Sequence, residues 1–313
     1  MVTTLEMITR SVGTMSEQSS GDDQPTGETE PSADAVAPAQ EIRFDHVALI
    51  VRRPTDLWPV MADTLGGRYV GRGVGQGYGW TQLRFANGFV LEGIHPEPDQ
   101  SAGVPASKLV DRFLERYGVG PHHLTFHVTD LPAMLDTLRA AGLEPVAENH
   151  DDPQWHEAFL RPRDAHGIVI QLAQVGPHPA SPPEEPEGFP DLGYDHPMAS
   201  LGRVVHAVRD LPAALVFFRD ILDGRVLSTG SAVDGNHWVE LGWGGPGRLR
   251  LLEGVHAEIA EWIGDQPGRT RHLFFSFDEP SYVPGAHKVA SGRWVVDRDD
   301  VLGTRLVIAS SAR

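Results

Sequence analysis

The 313-residue chain contains no cysteine. This excludes disulfides, thiolate metal ligands and a cysteine nucleophile, and it fits a reducing compartment. Lysine is almost missing too: Lys108 and Lys288 are the only two, and arginine supplies the remaining cations. The formal net charge is -17 and no Lys/Arg cluster interrupts it, so binding to nucleic acid is not expected. No stretch reaches the roughly 18 consecutive apolar residues of a membrane helix, and no membrane partner is expected. Met1 to Gly13 has neither a charged start nor a continuous apolar stretch, so no secretory signal is read and the cytoplasm is the expected location.

What the chain does have is a repeated pattern between two polar segments. Residues 1–41 are rich in Ser, Gly, Pro, Asp and Glu, too poor in apolar surface to offset chain entropy, and are expected to be a disordered acidic tail. Residues 176–199 hold many prolines, which disfavour helix and central strand, and read as a semi-rigid linker. Two globular domains are thus expected, at 42–175 and 200–313. Leu91-Glu92-Gly93-Ile94-His95 recurs as Leu252-Glu253-Gly254-Val255-His256, and Pro121-His122-His123-Leu124-Thr125-Phe126 has a counterpart in Thr270-Arg271-His272-Leu273-Phe274-Phe275. Asp130-Leu131-Pro132-Ala133 reappears as Asp210-Leu211-Pro212-Ala213, and in both an N-capping Asp and a first-turn Pro predict a helix start after a strand. Thr55-Asp56 opens a further helix, expected over 56–65. The fold class is therefore α+β, built from tandem βαβββ modules. The last module, from His272 onward, lacks a convincing helix.

Four residues on separate apolar segments stand out as candidate metal ligands: His46, Glu92, His123 and Gln171. Strand alternation puts each among small or apolar neighbours on one face: Ala48 and Ile50 with His46, Val90 and Ile94 with Glu92, Thr125 and His127 with His123, Val169 and Ala173 with Gln171. A single strand histidine is more often a hydrogen-bonded core residue. Four such residues, on the first and last strands of two successive modules, point instead to a mixed nitrogen and oxygen site with positions left for a substrate.

The segments Asp45-His46-Val47-Ala48, Leu91-Glu92, Gly120-Pro121-His122-His123-Leu124-Thr125-Phe126 and Gly167-Ile168-Val169-Ile170-Gln171-Leu172 resemble the vicinal oxygen chelate superfamily. That group contains glyoxalase I, methylmalonyl-CoA epimerase, extradiol dioxygenases and the fosfomycin and bleomycin resistance proteins. The resemblance covers both globular blocks and implies two glyoxalase-like domains. It also implies a divalent ion (cobalt, nickel, manganese, zinc or iron) on His46, Glu92, His123 and Gln171, chelating a small oxygenated substrate. Phe113-Leu114-Glu115-Arg116, ahead of the paired histidines, is most similar to the epimerase branch. The pattern departs from its relatives at the last ligand, where an amide cannot serve as a base. Glu92 and His127 are then the candidate acid/base groups. His122 is expected to point outward, and His156 and Glu157 to be ordinary strand residues.

The second block is expected to hold Arg203, Glu253, His272 and Val307 at the matching positions. Arginine and valine give a metal nothing, so this domain reads as degenerate, a structural partner, dimerisation surface or lid, with a buried Arg203–Glu253 ion pair. A homodimer is among the expected assemblies. Gly71 to Gly79 (GRGVGQGYG) lacks the GxxxxGK[ST] phosphate loop and is expected to be a flexible turn between strands. The functional expectation is an epimerase-like, metal-dependent isomerase or lyase that stabilises an enolate. The alternatives are a non-haem iron dioxygenase using His46, His123 and Glu92, and a drug-binding or resistance protein.

Overall fold

The computed structural model describes residues 40–75, 77–98, 100, 103, 105–176, 184–231 and 235–310. The expected acidic tail lies outside them apart from its last two residues, as does part of the expected linker. The first unit has strands β1 (Ile42–Ile50), β2 (Arg68–Gly75), β3 (Tyr78–Arg84), β4 (Val90–Pro96), β5 (Gly120–Val128), β6 (Val146–Asp152), β7 (Trp155–Leu160) and β8 (Val169–Val175), with helices α1 (Lys108–Tyr117) and α2 (Leu131–Ala140). The second has β9 (Ser200–Val208), β10 (Arg225–Ser231), β11 (His237–Gly242), β12 (Arg248–Glu253), β13 (Gly268–Phe277), β14 (His287–Ala290), β15 (Arg293–Val296) and β16 (Arg305–Ser310), with α3 (Leu211–Leu215) and α4 (Ala257–Ile263). Each unit forms one eight-stranded curled sheet, ordered β2-β3-β4-β1-β5-β8-β7-β6 and β10-β11-β12-β9-β13-β16-β15-β14. Two βαβββ modules make each sheet, joined where β1 meets β5 and β9 meets β13 antiparallel.

Local chemistry sets the helices. Asp130 accepts from Ala133 N at 3.0 Å and Asp210 from Ala213 N at 2.9 Å, so both caps form as expected. The helix expected over 56–65 is instead a 3-10 turn, Pro54–Leu57, followed by a π-helix, Trp58–Thr64. Pro59 removes one N–H from the usual ladder, and Leu65 N reaches five residues back to Val60 O at 2.9 Å. The last module carries only a 3-10 turn, Pro280–Tyr282. Among the described residues no helix is long and apolar enough to cross a membrane.

The faces of the two sheets that carry α2 and α3 share one core. Phe44 on β1 stacks on Phe126 at 4.9 Å and meets Trp243 of the second unit edge-on at 5.9 Å, and Phe85 meets Phe275 at 5.2 Å. Part of the expected linker is packed down in this arrangement: Phe189 lies edge-on to Trp58 at 5.1 Å, and Arg68 donates to the Leu192 carbonyl at 2.7 Å. Gly167, with φ of 95°, passes so close to the second unit that a Cβ would lie 1.9 Å from the Gly268 carbonyl oxygen. With α2, α3 and the shared core on one face, the opposite, inner face of each sheet carries only α1 or α4 at one side and is otherwise left for other uses.

Gly71 to Gly79 is for the most part strand rather than turn, since β2 runs through Gly75 and β3 begins at Tyr78. The glycines serve Trp80, whose ring crosses β2 so closely that a Cβ at Gly73 would sit 2.6 Å from it.

Candidate metal centre

The four expected ligands all lie buried on the inner face of the first sheet. β1 and β5 run antiparallel with β4 and β8 outside them, and Ala48 lies opposite both Glu92 and His123. Leu49 and Leu124 join the shared core, while Ala48, Ile50 and Ile94 pack under Val110 and Leu114 of α1. β1 is thus buried on both sides, which explains its nearly continuous apolar sequence.

His46, Glu92 and His123 bring one ligand atom each to within 4.8 Å of one another. Glu92 Oε1 lies 3.6 Å from His46 Nε2 and 3.7 Å from His123 Nε2. Gln82 on the neighbouring strand donates to Glu92 Oε2 at 2.8 Å and so fixes which oxygen faces the histidines. Gln171 lies beside the trio: Thr125 Oγ1 is 2.8 Å from His46 Nε2 and donates to Gln171 Oε1 at 2.6 Å. The Gln171 amide donates to Glu157 Oε2 at 2.7 Å, which turns its carbonyl oxygen toward the histidines.

The electrostatics divide the two histidines. Burial opposes charge on His46, but Glu92 and the Asp45 carboxylate, 2.9 Å from Nδ1, raise its pKa to about 10. His123 is driven well below the usual imidazole range by burial, then by His122 and His46. Its Nε2 is buried with no hydrogen-bond partner, although it faces a carboxylate. An orphaned imidazole nitrogen, a second imidazole and a carboxylate oxygen aimed at one point are what a divalent cation requires. The residues fit the group.

Two further residues belong to this face and were not singled out from the sequence. A bulge between Phe44 and His46 places Asp45 against His46, a carboxylate–histidine arrangement that fixes ring tautomer and orientation. Asp45 Oδ1 also lies 3.5 Å from His127 Nδ1. Glu157, expected to be an ordinary strand residue, is buried on the inner face. Its Oε2 accepts from Trp155 Nε1 at 2.9 Å and from Gln171. Burial raises its pKa, Glu92 adds to the shift, and these two hydrogen bonds oppose it. Tyr78 is raised by burial, Glu157 and Glu92, which puts its hydroxyl within the field of both carboxylates.

His127 stands apart from the trio, four residues from His123 and so about 13 Å along the strand, with its ring edge-on to Trp155 at 5.7 Å. His122, expected to point outward, occupies the bulge between Ala48 and Leu49 pairing. Its ring lies edge-on to Phe113 of α1 at 5.3 Å, its Nδ1 is 3.0 Å from that of His123, and burial pushes its pKa down to about 4.

In the second sheet the expected correspondence holds for Arg203, His272 and Val307 but not for Glu253. Val205 lies opposite both His272 and Arg250, as Ala48 lies opposite His123 and Glu92, so Arg250 occupies the Glu92 position. Glu253 pairs with Val208 three residues further on. Arg203 therefore pairs with Glu240, at 2.5 Å, and not with Glu253.

No curated protein matches the chain by sequence. Among solved structures, a hypothetical protein from Staphylococcus aureus shares 13% identity over 86% of this chain and 99% of that one, with a TM-score of 0.53. A mutant of 4-hydroxymandelate synthase from Streptomyces coelicolor shares 18% identity over 76% of this chain and 71% of its own, with a TM-score of 0.52. Methylmalonyl-CoA epimerase from Mycobacterium tuberculosis shares 26% identity over 43% of this chain and 89% of its own, with a TM-score of 0.37. The glyoxalase-like domain family matches residues 44–222, more than half of the sequence. The chain belongs to that glyoxalase-like domain family.

Proposed function

We propose that the chain is a metal-dependent isomerase or lyase that moves a proton at a carbon beside a carbonyl of a small oxygenated substrate. His46, Glu92 and His123 hold a divalent ion, with the Gln171 carbonyl oxygen beside them as a fourth ligand. The observation that carries this reading is the buried trio with its orphaned His123 nitrogen. When bound, the ion supplies positive charge against the oxyanion that develops as the neighbouring C–H is deprotonated.

The protein's own residues supply the rest. Asp45 and Gln82 fix the orientation of His46 and Glu92. Gln171 cannot carry a proton, yet its amide holds a residue that can. Both hydrogen bonds to Glu157 converge on Oε2, which leaves Oε1 to take the proton from carbon and return it. Ala48, Ile50 and Ile94 under α1 keep one side of the face dry, which strengthens these electrostatic terms.

The same two histidines and one carboxylate suit ferrous iron and oxygen chemistry, and this is the second reading. Metal analysis of protein purified without added ions, followed by two assays, separates them. Entry of solvent deuterium into a 2-oxo or thioester substrate, lost in Glu157→Gln with the metal retained, is the expected result. Iron with substrate-dependent oxygen consumption would replace it with the dioxygenase. Absence of metal from both wild type and His46→Ala would leave a small-molecule binding protein.

A further inference from the structure

The inner face of the second sheet carries a more positive set of side chains than the first at matching positions. Arg203 stands where His46 does, Arg250 where Glu92 does, and Glu240 where Gln82 does. At the outer strand Arg293 faces Ala309 as Glu157 faces Ala173. Arg305 lies beside His272 where Val169 lies beside His123. Both buried carboxylates of the first face have become arginines, and two more arginines have been added.

We propose that this face is an anion-binding site for a small molecule bearing a carboxylate or phosphate group. Arg203 and Arg250 converge on the single Glu240 carboxylate, at 2.5 and 2.8 Å, so their charge is only half balanced. The nearest carboxylate to Arg305 is Asp297, at 3.9 Å. The Nε atoms of Arg203 and Arg305 are buried and have no hydrogen-bond partner. Buried donors of this kind cost stability unless something accepts from them. A purely structural arginine cluster would bring one carboxylate per guanidinium, and a chain with net charge -17 has acidic residues to spare.

The arginines are held ready rather than loose. Arg203 lies over the Phe274 ring at 4.1 Å and Arg250 over Trp238 at 3.8 Å, which fixes each planar fork at little further entropic cost on binding. Side-chain exposures of 21%, 23% and 28% for Arg203, Arg250 and Arg305 leave the groups open to a ligand from solvent. His272 stays neutral beside them, since burial and the surrounding arginines push its pKa down to about 3, so the arginines alone give the face its positive charge. Trp238 and Phe274 favour a ligand whose anionic group is attached to an apolar or planar body. The site does not depend on the metal reading of the first sheet.

The test is calorimetric titration of the full chain with inorganic phosphate and, separately, with succinate. Saturable binding by at least one probe is expected, and the tighter of the two tells phosphate from carboxylate. Arg305→Gln removes a guanidinium whose nearest carboxylate is 3.9 Å away, and should weaken binding about tenfold or more, as expected for one charge-assisted hydrogen bond. Arg203→Gln leaves Glu240 paired with Arg250 and should weaken it likewise, while Arg163→Gln, an exposed arginine of the first unit, should not. Hydrogen exchange on the wild type gives a reading that needs no variant, with anion-dependent protection on β12, β13 and β16. The proposal is overturned if neither probe binds up to about 10 mM, a range that reaches below the affinity of even weak specific sites. It is equally overturned if protection or affinity is indifferent to these strands and side chains.

Discussion

His206 should make the stability of this protein fall as pH drops below neutrality. It is fully buried on β9, on the opposite face from Arg203, and it joins the two units: Nε2–H donates to the His166 carbonyl at 2.7 Å, and Nδ1 lies 3.2 Å from Thr270 Oγ1. Burial, with the neighbouring His166 adding to it, lowers its pKa from 6.5 to about 4, against the opposing effect of the His166 carbonyl bond. The folded chain thus resists a proton that the unfolded chain accepts. Stability from the neutral ring is full above pH 6.5, declines as pH falls through the window from 6.5 to 4, and is gone below it. At about 1.4 kcal/mol per unit, the whole window is worth roughly 3 kcal/mol, and about 2 kcal/mol is already lost at pH 5. His166 is itself lowered by burial, partly offset by Asp210, so it contributes with the same sign. Urea unfolding at about pH 7, 5 and 4, for wild type and His206→Gln, isolates the effect because glutamine can still donate to His166 and does not titrate. Equal pH slopes for the two proteins would refute the reasoning.

Gly167→Ala should separate the two units locally, since the new methyl meets the Gly268 carbonyl and the backbone is left-handed. Strain and overpacking together predict a loss of about 3 kcal/mol in urea unfolding, and an unchanged midpoint would show that the contact relaxes freely. Asp45→Asn should cut metal affinity by about 10- to 100-fold in a chelator competition, because the His46 ring loses its orienting carboxylate. Affinity within a factor of two of wild type would remove Asp45 from the account.

Much of the first site could be read from strand alternation alone. His46, Glu92, His123 and Gln171 each sit on an element whose every second residue enters the shared core, and that pattern survives in sequence. Glu157 did not stand out, because the choice of face on β7 depends on pairing with β8, which aligns it with Ala173. Asp45 was hidden by a bulge, where alternation fails. The repeated Leu-Glu-Gly-x-His was misleading for a related reason. Leu91 enters the shared core, whereas Leu252 packs on the inner face with Val205 and Ile259. An offset of three along a strand reverses the face, so the same five letters play opposite parts in the two units.

That reversal bears on how one fold can hold two unlike sites. Stability resides mainly where the faces carrying α2 and α3 merge, around Phe44, Phe126, Trp243, Phe85 and Phe275. The inner faces are turned away from that core, and each is bounded by its own small apolar cluster under α1 or α4. Exchange of His46 for arginine, or of Glu92 for arginine, therefore alters local charge without opening a cavity in the shared core. It does require a new counter-charge, and Glu240 in place of Gln82 supplies one carboxylate to two arginines. The remaining imbalance is positive in the second sheet, as it is negative around Glu92 and Glu157 in the first. A duplicated scaffold of this kind can present a cation site and an anion site on separate faces while both sheets draw on one core.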